Sequence, residues 1–280
     1  MQKLIILFSL VLTTISCTKE NNKNYDSDNE VEILKYIETH NLNAQKSPSG
    51  LYYTIEKQGE GIEVDRTQEV IVSYNAIYAN GKPFAESSKY GQIFDLKNII
   101  SGLSEGISLF NEGGEGKLLI PSRLAYGNQD FGSIPAGSVI IFDIKVISTE
   151  EGINEINDSQ ITQYLKDNNL TDVAIKSTSG LYSIFDKKED GKIPNINSTV
   201  KVKYKGYFLN GDVFDKTEDE PVEFNLQNVI PGFQEGLLLF KEGNTGTIIL
   251  PSNLAYGFYG SSNIPPGVVI IFDVELIKVD

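Results

Sequence analysis

The sequence predicts an α+β chain of two like units, each an antiparallel sheet wrapped around one short helix and each preceded by a short leading helix. Three observations predict it. The chain repeats itself at an offset of 130 residues, so that "LAYG" at 124–127 returns at 254–257 and "VIIFDI" at 139–144 returns as "VIIFDV" at 269–274. Period-2 alternation running into an Asn-Gly turn marks a hairpin in each copy. One apolar stripe at helical spacing then precedes two further strand-like runs.

The offset holds without a gap from Gly50 to Thr149, and 38 of those 100 aligned positions are identical. A period this long means duplicated domains rather than a solenoid of short repeats, and 280 residues with 40% apolar content can give each domain its own core. Upstream, "EILKYIETHNLN" resembles "QITQYLKDNNLT", each with apolar residues near helical spacing and an Asn-rich stop, hence the leading helices. The first unit is placed at 31–149, a linker at 150–159 within the polar stretch "STEEGINEINDS", and the second unit at 160–280. "EVIVSYNAIYANG" sets Val70, Val72, Tyr74, Ala76 and Tyr78 on one strand face before its turn, and "TVKVKYKGYFLNG" does the same. In "IPGFQEGLLLFKEG" the stripe is Ile230, Phe233, Leu237 and Phe240, with Pro231 suited to the first turn and a Gly expected to end the helix. "GTIILP" and "VVIIFDVELIKV" follow, the second apolar enough to be central in a sheet.

The amino terminus reads as an export signal over 1–16: Lys3, an apolar run from Leu4 to Leu12, then small and polar residues. The run is shorter than the roughly 20 residues a membrane-spanning helix needs. Cys17, the chain's single cysteine, follows "TIS" in a pattern resembling a bacterial lipobox with Thr14 where Leu is usual. Lipidation of Cys17 is expected, since an unpaired thiol is a liability in an oxidising compartment. The polar segment 17–30 is expected to be a tether. The chain is therefore expected in the cell envelope, lipid-anchored to a bacterial membrane, the outer one in particular, on its periplasmic face or at the cell surface.

Much chemistry is excluded by scarcity. Acidic residues outnumber basic ones 38 to 24, so a phosphate backbone would be repelled and no nucleic acid is expected. His40 is the one histidine, expected on a helix surface, and with one cysteine it leaves no metal set and no Ser-His-Asp arrangement. Neither a P-loop nor a GxGxxG stands between a strand and a helix. No metal and no cofactor is expected.

What remains is a set of aromatics. Tyr204, Phe214, Phe224, Phe233, Tyr256 and Phe272 all fall on predicted strands, on the helix or at their ends. Singly, each is an ordinary core residue. Together with "YKGYFLNGDVFD", "FNLQNVIPGFQEGL", "LPSNLAYG" and "IPPGVVIIFDVELIKV", in that order and spacing, the set resembles the FK506-binding family of peptidyl-prolyl isomerases over about 100 residues of each unit. The resemblance implies a pocket in the second unit: Tyr204, Phe214 and Phe272 as walls, Phe224 flanking them, and Phe233 as the floor. Val229 and Ile230 open the helix, and the Ile230 N–H binds a substrate carbonyl. Tyr256 offers its hydroxyl to the carbonyl on the proline side, Ile264 lines the rim, and Asp215 is the pocket carboxylate.

The first unit keeps Tyr74, Phe84, Phe94, Ile99, Ile100, Tyr126, Ile134 and Phe142, but has Ala85 in place of the acid, Leu103 in place of the aromatic floor and "IPAG" in place of "IPPG". Weak or absent activity is expected there. Asp143 and Asp273, alike in both copies, are expected to be structural. Implied by the resemblance is a peptidyl-prolyl cis-trans isomerase assisting the folding of exported proteins, mainly through the second unit. A non-catalytic or weakly catalytic client-binding lipoprotein is the open alternative. Expected partners are proline-containing unfolded or exported polypeptides and, through the anchor, a membrane; the chain is expected to be a monomer.

Overall fold

The computed structural model describes residues 23–187 and 189–280. The export signal, Cys17 and residues 17–22 of the expected tether lie outside the described residues. The first unit runs α1 (Asp26–Thr39), β1 (Gln45–Lys46), β2 (Tyr52–Lys57), β3 (Glu69–Tyr78), β4 (Pro83–Glu86), β5 (Gln92–Asp95), α2 (Ser101–Ile107), β6 (Glu115–Ile120) and β7 (Ile140–Thr149). The second repeats that order as α3 (Ile153–Asp167), β8 (Ile175–Lys176), β9 (Tyr182–Lys187), β10 (Thr199–Phe208), β11 (Val213–Lys216), β12 (Val222–Asn225), α4 (Pro231–Leu238), β13 (Thr245–Leu250) and β14 (Ile270–Val279).

Each unit has one seven-stranded antiparallel sheet, ordered β1-β2-β6-β7-β3-β4 with β5 also on β3, and β8-β9-β13-β14-β10-β11 with β12 also on β10. The strands β7 and β14 are central, as their largely apolar sequences predict. Both long pairings slip at one place, Ile71/Val72 against β7 and Lys201/Val202 against β14. A bulge there bends the strand and increases its twist, which helps the sheet curl around its helix.

Helix and sheet meet on the inner face. Val70, Val72 and Ala76 bury against Leu103, Ile107 and Phe110 in the first unit, and Val200 and Val202 bury with Phe233, Leu237 and Phe240 in the second. Such side chains stabilise by about 1.5–3 kcal/mol each when fully buried. The outer face is covered too: Ile33 of α1 packs on Tyr52, Leu119 and Ile141, and Ile161 of α3 on Tyr182, Ile249 and Ile271. A buried asparagine fixes each leading helix. Asn29 accepts from the Ser122 N–H and donates to the Gly137 carbonyl, both at 2.8 Å. Asn157 makes the same two bonds to Ser252 and Gly267, at 2.7 and 2.9 Å.

Three expectations need correction. Residues 153–159 of the expected linker belong to α3, because Ile153 and Asn157 are buried by tertiary partners; likewise α1 takes residues 26–30 of the expected tether. Helix α4 ends at Leu238 rather than at the following Gly243, since Leu239 and Phe240 donate to Gly236 and Leu237 in tighter three-residue turns. Phe240 is fully buried even so.

Candidate functional site

The second unit gathers five of its predicted aromatics, Tyr204, Phe214, Phe224, Phe272 and, in the first turn of α4, Phe233. Ring centroids lie 5.9 Å apart for Tyr204–Phe233 and Tyr204–Phe272, 5.8 Å for Tyr204–Phe224, 4.8 Å for Phe233–Phe272 and 5.7 Å for Phe214–Phe272. Phe233, Phe272 and Ile264 are buried, while Phe214, Phe224, Val229 and Ile230 are half-buried against the same core. The register explains the convergence: Tyr204 pairs with Val274 and Gly206 with Phe272 on one side and Asp215 on the other. Gly206 permits the fit, because a Cβ there would stand 2.7 Å from the Phe214 ring and 2.9 Å from the Phe272 ring.

Polar groups edge this apolar cup. The Tyr204 hydroxyl donates to Asp215 Oδ2 at 2.6 Å. Burial, then that bond, raises the Tyr204 hydroxyl well above the usual phenol range. Burial and the nearby Asp215 carboxylate push the Tyr256 hydroxyl up as well. Both therefore stay protonated donors at neutral pH. Tyr256 is 38% exposed. Ile230 is the extended residue preceding Pro231 at the start of α4, and among the described residues its N–H has no protein acceptor.

The first unit assembles the same cup with different edges. Tyr74 lies 5.4 Å from Phe94 and 5.5 Å from Phe142, and Leu103 and Ile134 are buried. With Ala85 half-buried where Asp215 would stand, the Tyr74 hydroxyl donates instead to Gln92 Oε1 at 3.2 Å, a longer bond to a neutral acceptor. The position of Gly206 is taken by Ala76, and the Phe84 and Phe142 centroids are 6.4 Å apart against 5.7 Å in the second unit. Tyr126 stacks on Phe131 at 4.8 Å. Ile99 and Ile100 lie before α2 as Val229 and Ile230 lie before α4.

Elsewhere His40 is exposed at the end of α1, stacked on Tyr36. Asp143 and Asp273 both bond within the sheet but to different partners: Asp143 pairs with Lys117, and Asp273 accepts from Tyr207 at 3.0 Å and Thr247 at 2.9 Å. Among the described residues no group of His, Cys, Asp or Glu is placed to hold a metal, and no helix is long and apolar enough to cross a membrane. Sequence comparison of the copies had the signal for Gly206 against Ala76 and for Gln92 against Val222, but not their meaning, which needs the side chains in place.

Among known proteins, the chain is similar to the probable FKBP-type peptidyl-prolyl cis-trans isomerase FkpA of Neisseria meningitidis serogroup B, 37% identical over 138 residues, or 48% of this chain and 51% of that protein. FkpA of Buchnera aphidicola subsp. Baizongia pistaciae is 31% identical over 199 residues, 70% of this chain and 74% of its own. The chain thus spans about half the length of the first relative. A crystal structure of FkpA from Escherichia coli aligns with a TM-score of 0.42 and 34% identity over 47% of this chain and 62% of that one. The family model described as FKBP-type peptidyl-prolyl cis-trans isomerase matches twice, at 61–147 and 191–277, once on each sheet. With more than half of its residues inside those two matches, the chain belongs to the FKBP-type peptidyl-prolyl cis-trans isomerase family.

Proposed function

We propose that the chain catalyses cis-trans isomerisation of X–Pro bonds in exported polypeptides, chiefly in the second unit. The observation that carries this is the Tyr204–Asp215 bond of 2.6 Å at the edge of a cup of packed aromatics. Amide resonance holds the X–Pro bond planar with a barrier of about 18–20 kcal/mol, and unaided rotation takes tens of seconds or longer. Twisting weakens that resonance and leaves less charge on the carbonyl oxygen, so the twisted amide loses less than the planar one on entering an apolar cup. Phe233 as floor and Tyr204, Phe214 and Phe272 as walls supply that surrounding, with Phe224 and Val229 at its side and Ile264 on the rim. The Ile230 N–H and the Tyr256 hydroxyl are donors fixed in advance for the carbonyls flanking proline. Held this way, they bind the twisted conformer better than the planar one, and such differential binding is catalysis. Asp215 orients the Tyr204 hydroxyl. The chemistry asks for no nucleophile.

In the first unit the apolar cup of Tyr74, Phe84, Phe94, Ile99, Ile100, Leu103, Tyr126, Ile134 and Phe142 remains, but its polar edge is a neutral bond to Gln92. That unit holds proline-containing segments more than it turns them over. Two linked sites on one client would add avidity, which is the binding-module reading. For placement, the sequence supports lipidation at Cys17 and an envelope location on the outer membrane, with the chain a monomer. Radiolabelled acyl incorporation that disappears in Cys17→Ser checks the anchor.

The test of function is exchange NMR on a short proline peptide. Tyr256→Phe is expected to slow the full chain about tenfold, the size of one lost hydrogen bond. A rate unchanged in Tyr256→Phe and Asp215→Ala combined would refute the assignment.

A further inference from the structure

Because the two units repeat one sequence, each is a control for the surface of the other. On the outer face of the first sheet Ile71 is 1% exposed, with Ile93 and Ile147 packed beside it. The equivalent positions of the second sheet are Lys201, Glu223 and Ile277, and Lys201 and Glu223 form a solvated ion pair at 3.9 Å. The apolar patch exists only on the copy that has a neighbour to cover it. The cover is Phe258, from the rim loop of the second pocket, 5% exposed and clustered with Ile71 and Ile153. The next residue, Tyr259, donates its hydroxyl to Glu69 Oε2 at the start of β3, at 2.6 Å. The first rim loop has Asn128 and Gln129 at these two positions.

A second contact reaches a wall of the same pocket. Tyr90, in the loop between β4 and β5, packs on Phe208 with centroids 5.4 Å apart, and Phe208 packs on Phe214 at 5.1 Å. Beside it Lys89 pairs with Asp212 at 2.6 Å. The second unit has Asp219 and Glu220 where the first has Lys89 and Tyr90, both exposed. Both of these contacts therefore end on the pocket that keeps its carboxylate.

We propose that the first unit is a brace for the second pocket, holding its rim loop through Phe258 and Tyr259 and its Phe214 wall through Tyr90. These are positioning residues, and the inference rests on the second pocket being the working one. Tyr256 lies two residues before Phe258 in a short loop, so an anchored Phe258 limits where the Tyr256 hydroxyl can go. A rim ordered before the peptide arrives has no freedom left to lose on binding. Loss of the anchor is therefore read in peptide affinity more than in turnover.

The experiment uses the full chain and a tetrapeptide with a central Leu-Pro bond, comparing wild type with Phe258→Ala, Phe258→Leu, Ile71→Ala and the Ile71→Ala/Phe258→Ala double variant. Exchange NMR gives KM and kcat, and amide hydrogen exchange follows residues 257–267 against β14. In Phe258→Ala and Ile71→Ala the loop amides exchange about tenfold faster while β14 is unchanged, and KM rises about fivefold with kcat within about twofold. The double variant loses less than the sum of the two single losses, as residues in contact do, and Phe258→Leu restores both readouts. Unchanged loop protection, a freed loop with unchanged KM, or additive losses in the double variant would each overturn the brace. Phe258→Ala, in a surface loop, keeps the test available should Ile71→Ala not fold. A wild-type chain that leaves the peptide unturned sinks the functional assignment instead, while loop exchange still decides the anchoring.

Discussion

The two pockets share a scaffold and differ at its edge. Strand order, bulge position and the asparagine that pins each leading helix are the same in both units. Yet Tyr204 gives its hydroxyl to a carboxylate at 2.6 Å, and Tyr74 gives its own to an amide at 3.2 Å. The walls close to 5.7 Å across Gly206 and stand at 6.4 Å where Ala76 intervenes. The fold therefore occurs twice, while the tyrosine–carboxylate bond and the glycine beside it occur once. The lesson is that the core and the pocket edge can vary separately: volume and burial are matched in the two cores, while the edges differ by one charge and one methyl group.

The largest effects should fall on what the units share. Phe110→Ala and Phe240→Ala each remove a fully buried ring from equivalent positions, and each should destabilise by about 3–5 kcal/mol. Urea denaturation of the two variants measures this, and a large inequality would break the claim of equal scaffolds. Next comes Asp215→Ala, which gives the second pocket the residue of the first. Bonds to charged groups contribute about 1.5–3 kcal/mol, so kcat/KM by exchange NMR should fall about 10- to 100-fold.

The converse change is smaller. Ala85→Asp with Ala76→Gly and Leu103→Phe should raise peptide turnover in an Asp215→Ala background by several-fold, about 1 kcal/mol in the barrier. No gain would show that the difference between the pockets lies elsewhere. The smallest effect concerns the contact between units. The bond to Glu69, helped by burial, pushes the Tyr259 hydroxyl up to about 12 from 10.0. The folded-state value is the higher one, so the bond's contribution is fully present below about pH 10 and is lost as pH rises through about 12. Ultraviolet titration of Tyr259→Phe should lack one late-ionising phenol.

The repeat, the hairpins, the central β7 and β14 and the convergence of Tyr204, Phe214, Phe233 and Phe272 were legible because they rest on periodicity and on a motif order that the chain states twice. The start of α3 was not, since "EEGINEINDS" is polar and its Ile153 and Asn157 acquire burial from Ile71, Phe258, Ser252 and Gly267, far away in the chain. Ala85 was visible as a missing acid. That Gln92 accepts the orphaned Tyr74 hydroxyl was not, because the two meet only once β5 lies against β3. The burial of Ile71, on the strand face opposite Val70 and Val72, was not legible either, because the neighbouring unit supplies it.

The central claim is that one of two like pockets does the work, and the tyrosines at equivalent rims test it most directly. Exchange NMR on the full chain with a single proline peptide should show Tyr256→Phe slowed about tenfold and Tyr126→Phe running at the wild-type rate. Equal losses in the two variants would contradict the account.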